Sequence, residues 1–76
     1  MISSPAEIQA GTKTRILNAA EKLFGEKGFD GTSLRDITAE AQVNLAAVNY
    51  HFQSKDSLFD AVIERRMEPI NRQRLE

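Results

Sequence analysis

Residues that favour the opening of helices recur at Ser33, Asn44 and Ser54, and their close spacing is the strongest constraint on what this chain can become. Each offers a side-chain oxygen to the free N–H groups of a helix start. Asp36 follows Ser33 at the position from which a carboxylate reaches back in a capping box. Asp56 falls in the first turn after Ser54, where the helix dipole favours negative charge. The spacing predicts a helix over 34–41 with a narrow apolar edge of Leu34, Ile37 and Ala41. It leaves Gln42, Val43 and Asn44 as a short turn, and the next helix opens as LAAVNYH. Two short helices joined by about three residues form a helix-turn-helix pattern.

On either side the periodicity continues. From Lys13 to Lys27 the apolar residues Ile16, Leu17, Ala20, Leu23 and Phe24 fall on one side of a helix, and Gly28 is its stop signal. Gly25 lies inside that helix at a cost of about 1 kcal/mol relative to alanine. Phe29, between two glycines, is expected to pack under this first helix. After Ser54, Leu58, Phe59, Val62 and Ile63 repeat at helical spacing to about Met67, and Pro69 is expected to interrupt and begin a further helix. Residues 1–11 have no periodicity and read as a flexible arm. With no repeats and no strand-like alternation, the fold class expected is all-α.

Seventy-six residues make one domain at most, and a chain of this size buries only about 60% of the surface it exposes when unfolded. There is no cysteine and His51 is the one histidine, so no disulfide, metal site or cofactor is expected. The composition, 41% apolar and 28% charged, is that of a soluble globular chain. No apolar run approaches the roughly 18 residues of a membrane span, and the first residues lack a secretory signal. The expectation is a cytoplasmic protein with no membrane partner. A histidine pair, a glycine-rich phosphate loop and a carboxylate pair are all missing from the pattern, so no catalytic residue and no enzyme is expected.

A net charge of −1 and a pI near 5.8 argue against a protein that merely coats nucleic acid. Yet residues 42–55 contain one lysine, one histidine and no acid, although the chain carries 11 acids. The charge of one face can decide binding when the total is near zero. On a helical wheel Val48 and Phe52 of NLAAVNYHF come together, with Leu45 and Asn49 on their flanks, while Ala46, Ala47, Tyr50 and His51 point away. Small residues let a helix sink close to a surface, and Tyr, His and Asn can meet phosphates or base edges. That is the shape of a helix made for the major groove of DNA. Each residue also has a plainer reading: Tyr50 and His51 as ordinary surface groups, Leu45 as part of the seam, Ala46 and Ala47 as helix formers. Arg65, Arg66, Arg72 and Arg74 alternate with Glu64, Glu68 and Glu76 and read as solvated pairs on a helix surface. Residue pattern alone therefore leaves a helical protein-interaction module, using the exposed Tyr50 face, open as the alternative.

The series TRILNAAEKLFGEKGFDGTSLRDITAEAQVNLAAVNYHFQSKDSLFDAV resembles the N-terminal DNA-binding domain of the tetracycline-repressor (TetR) family of bacterial transcription regulators. The likeness covers about residues 12–67. EKGFDGTS, LRDITAEA and Tyr50-His51-Phe52 followed by Ser54-Lys55 and Leu58-Phe59 carry it together. It implies a three-helix homeodomain-like helix-turn-helix bundle over 12–53 with a fourth, connecting helix over 54–68. The segment 69–76 would begin a C-terminal domain that binds a small-molecule inducer and forms the homodimer, and since family members are much longer, the chain is expected to be a fragment. The implied partner is double-stranded DNA with a pseudo-palindromic operator, and repression is the family default.

Carried over residue by residue, the resemblance places Leu45, Ala46, Ala47 and Asn49 toward bases, with Asn44 at the cap of the same helix in the DNA-binding set. It places Tyr50, His51 and Lys55 on phosphates, and Thr32 and Ser33, joined by Arg35, on the backbone of the opposite strand. Two departures qualify the pattern. Gln42 stands where the family often has glycine, so a left-handed residue there would cost about 1 kcal/mol unless the turn takes another geometry. Leu45 and Ala46 stand where many members have polar residues, so base discrimination is expected to lean on methyl contacts, Asn49 and DNA shape.

Overall fold

The computed structural model describes residues 5–75, and the side chains of residues 11–67. Over that span four helices follow one another: α1 (Pro5–Lys27), α2 (Leu34–Ala41), α3 (Leu45–His51) and α4 (Lys55–Leu75). All three anticipated caps are formed. The Ser33 hydroxyl accepts the Asp36 N–H at 3.0 Å while the Ser33 N–H donates to the Asp36 carboxylate at 3.1 Å, a complete capping box. Asn44 Oδ1 accepts the Ala47 N–H at 2.9 Å, and Ser54 Oγ accepts the Ser57 N–H at 3.0 Å. Gly28 ends α1 as expected, with φ +81° and its N–H on the Phe24 carbonyl at 2.9 Å.

Two boundaries differ from the sequence expectation. α1 begins at Pro5, so residues 5–11 belong to the helix rather than to an arm. Proline is well suited to the first helical position, where its missing N–H costs nothing, and the residues after it are mostly good helix formers. At the other end α4 runs on through Pro69 to Leu75 without a break, so no separate helix starts there. The proline forfeits one backbone bond within the helix, and the turns on both sides hold. The side chains of Ile70, Arg72 and Arg74 lie outside the described residues, as does Glu76.

α1 packs against each of the other three helices and so forms the spine of the bundle. Its buried stripe is Ile16, Ala19, Ala20, Leu23 and Phe24, met by Ile37 and Ala41 from α2, Val48 and Phe52 from α3, and Leu58 and Val62 from α4. Phe29 does pack under α1, in a trio with Phe24 and Phe59 whose ring centroids lie 5.1 to 5.7 Å apart. Ile63, expected in the seam, is 40% exposed, because Leu58 and Val62 already fill the sector of α4 that faces α1. Among the described residues no buried side-chain nitrogen or oxygen lacks a partner, as expected of a settled core.

Polar contacts tie the helices at their margins. Arg65 of α4 reaches across to Glu21 and to Asn18 Oδ1 of α1. Arg66 approaches the same Glu21 at 3.9 Å. Lys22 of α1 bonds Glu40 of α2 at 3.0 Å, which holds the lysine's proton more firmly than usual. Arg15 Nη2 donates to the carbonyls of Ala41 at 2.7 Å and Gln42 at 3.0 Å, where α2 turns toward α3.

Candidate nucleic-acid interface

α3 is only seven residues long, too short to persist by propensity alone. Its Asn44 cap and the burial of Val48 and Phe52 hold it. With those two side chains anchored inward, the opposite face is fixed in space. Leu45 is 51% exposed and Tyr50 68% exposed, and Ala46 and Asn49 are also open. Ala47 is half-buried against the edge of the core, so the small-residue face is narrower than the wheel implies. His51 is half-buried, its ring edge-to-face with Tyr50 at 5.0 Å.

The turn ahead of α3 answers the question raised by Gln42. It is left-handed, φ 60° and ψ 47°, with its N–H on the Thr38 carbonyl. A second left-handed residue, Gln53 at φ 70°, closes the other end of the helix. Nothing in the pattern around Gln53 marks it, since a helix stop is ordinarily read from glycine or asparagine.

The remaining sequence candidates divide. Ser33 and Arg35 are exposed at the start of α2. The Ser33 oxygen is engaged in the cap, while its hydroxyl hydrogen is still available to a phosphate. Thr32 leaves the set: it is 1% exposed, and its hydroxyl lies 3.1 Å from the Leu23 carbonyl and 2.9 Å from that of Gly28. A donor consumed inside the bundle has nothing to give a phosphate, so Thr32 fastens the α1–α2 link. Lys55, at the start of α4, rests its ammonium 4.2 Å from the centre of the Phe29 ring, a cation–π seat that narrows where the charge can point.

Charge pairing gives this face its sign. Among the described residues, the cations with carboxylate partners are Lys22, Lys27, Arg65 and Arg66. Lys13, Arg15, Arg35 and Lys55 have none, Arg15 being bonded to backbone carbonyls instead. Lys13 lies 6.0 Å from the Phe52 ring centre at the end of α3, a neighbour that sequence reading missed because α1 meets α3 only in the fold. Asp36 stays ionised more readily than an ordinary carboxyl, chiefly because it accepts the Ser33 N–H, and with Lys27 at 3.5 Å its charge is spoken for. The result is a short exposed helix free of acids, flanked by cations without a carboxylate partner among the described residues.

Residues 16–62, from the buried part of α1 into α4, match the family model described as bacterial regulatory proteins, tetR family. This chain belongs to that family. As a TetR-family DNA-binding regulatory domain, it is 39% identical over 56 residues to the probable HTH-type transcriptional regulator YttP of Bacillus subtilis (strain 168), covering 74% of this chain and 27% of that protein. It is 40% identical over 52 residues to the biofilm operon icaADBC HTH-type negative transcriptional regulator IcaR of Staphylococcus aureus (strain Newman), covering 68% of this chain and 28% of that one. The TetR-family chain thus spans little more than a quarter of the length of these relatives.

Proposed function

We propose that this chain is the operator-binding part of a ligand-responsive TetR-family repressor, and that α3 enters the major groove. The observation that carries the reading is the exposed, acid-free face of Leu45, Ala46, Asn49 and Tyr50 on a helix whose other side is locked by Val48 and Phe52. Leu45 and Ala46 present methyl groups that suit thymine, Asn49 can pair with a base edge, and Ala47 lets the backbone come close. Tyr50, His51, Ser33, Arg35 and Lys55 serve as phosphate contacts, with the amide of Asn44 beside them. Residues 12–53 act as the DNA-binding unit and 54–68 as the connecting helix, with 69–76 leading toward the inducer-binding and dimer-forming part of the full-length protein. Two such units on one dimer engage a pseudo-palindromic operator, each taking one half-site. Inducer binding then changes the separation of the two recognition helices and releases the DNA. Being a regulator of bacterial transcription, the protein would act in the cytoplasm.

The test is the salt dependence of binding to random duplex DNA, compared with a Tyr50→Ala, Lys55→Ala variant. The wild-type chain is expected to lose affinity steeply with salt as displaced counterions are recovered. The variant's log–log slope should be shallower by about one unit, for the lost lysine contact. A folded chain that binds no duplex at low salt, even when dimerised through a fused coiled coil, would refute the reading and leave the Tyr50 face to a protein partner.

A further inference from the structure

We propose that Arg15 is a positioning residue for DNA binding: from α1 it holds the left-handed turn that aims α3. The inference rests on α3 being the helix that meets DNA. The last carbonyls of α2 have no partner within the helix. That of Thr38 accepts both the Gln42 N–H and the Val43 N–H, the latter at 3.1 Å. Those of Ala41 and Gln42 are taken by a single Arg15 nitrogen, at 2.7 and 3.0 Å. α2 has no basic residue in its own last turn, where a positive charge would oppose the helix dipole. Arg15 supplies that charge from 26 residues away.

The position of these bonds gives them their effect. Gln42 holds φ 60° and ψ 47°, a conformation that a side chain disfavours and glycine adopts freely. Only Val43 separates it from Asn44, which caps α3. Any relaxation of Gln42 toward an ordinary backbone conformation therefore swings α3 as a unit, and with it Leu45, Asn49 and Tyr50. The two bonds from Arg15 bracket the peptide on either side of Gln42 and oppose that relaxation. α1 thus does more than bury the core: it fixes the register in which the exposed face meets a groove.

The test uses four forms of this chain: wild type, Arg15→Met, Gln42→Gly, and the two substitutions together. Each is first shown to be folded by circular dichroism. Binding is measured to a duplex that the wild type selects from a randomised pool, across a range of salt. Arg15→Met is expected to weaken binding roughly three- to tenfold, the loss of hydrogen bonds from a charged donor, with an unchanged salt slope. Adding Gln42→Gly should recover most of that loss, because glycine holds the turn unaided. A slope shallower by about one unit in Arg15→Met would show a direct phosphate contact and overturn the proposal, as would a double variant no better than Arg15→Met. Should Arg15→Met fail to fold, Arg15→Gln, which removes both the charge and the flat fork of donors, takes its place with the same expectations. If the wild type binds no duplex even when dimerised through a fused coiled coil, the DNA reading fails on its own. The latch is then judged by exchange of the Val43 amide, which should be faster without Arg15 and slow again with Gln42→Gly; one rate in all four forms would overturn it.

Discussion

A single methyl group, added at each of three glycines in the run GEKGFDG, should have three different effects on stability. Gly25 lies in α1 with φ and ψ that alanine shares, and a β-carbon there would meet nothing within 4 Å. Glycine in a helix interior costs about 1 kcal/mol relative to alanine, so Gly25→Ala should stabilise by up to about that amount and raise Tm by about 4 to 8 °C in a domain of this size. Gly28 also has open space around it, but its φ is +81°. There the substituted residue should cost about 1 kcal/mol, from strain of about 1–2 kcal/mol in the left-handed region less what the stiffer unfolded chain returns. Gly31 is governed by contact alone: a β-carbon would collide with the Lys27 carbonyl oxygen and lie 3.3 Å from its carbon. The obstacle is backbone, which cannot rotate aside, so the end of α1 must shift, at a cost of about 2 kcal/mol or more. Thermal melts followed by circular dichroism give the order directly: Gly25→Ala above wild type, Gly28→Ala below it, Gly31→Ala lowest. A Gly25→Ala chain that melts no higher than wild type, or a Gly31→Ala chain as stable as Gly25→Ala, would refute the reasoning.

Three further outcomes follow from the caps and the charge pattern. Because the Asp36 carboxyl is held below its ordinary value near 3.8 by the Ser33 N–H, its contribution is complete above that value and is lost as pH falls through the lower folded one. Acid should therefore depress the Tm of wild type more than that of Asp36→Asn, and equal acid sensitivity would argue against the charged capping box. Thr32→Val removes the hydroxyl shared by the Leu23 and Gly28 carbonyls and should cost about 1 kcal/mol or more of stability; where the chain is still folded its affinity for duplex DNA should match that of wild type, and a loss of affinity would restore Thr32 to the interface. Arg35→Ala, at an exposed cation without a carboxylate partner among the described residues, should leave Tm within a degree or two of wild type yet reduce the salt slope by about one unit, and an unchanged slope would remove Arg35 from the interface.

What could be read in the sequence was whatever depends on neighbours in the chain. The caps at Ser33, Asn44 and Ser54, the stop at Gly28 and the inward pair Val48 and Phe52 all act within a turn or two, and all are where the spacing predicts. The ends of the chain were misread for the same reason. Residues 5–11 show no apolar periodicity, yet they extend a helix already begun; Pro69 is a strong local breaker, but one isolated proline costs a helix about 3 kcal/mol, and α4 absorbs it. At the site, Thr32 was misplaced because its sequence position beside Ser33 gives no sign that its hydroxyl turns inward to α1. Lys13 beside Phe52, Lys55 over Phe29 and Arg15 on the end of α2 are meetings across 39, 26 and 26 positions. No periodicity in one strand of text encodes them.

The chain contains one tyrosine and no tryptophan, and that tyrosine is Tyr50, 68% exposed on α3. Its phenol is therefore the sole strong ultraviolet emitter of the domain, seated on the surface proposed to meet DNA. Contact with a phosphate or stacking near a base should dim it, so the unlabelled chain carries its own optical reporter. A titration in a fluorimeter would follow occupancy of α3 itself, without a dye on either partner.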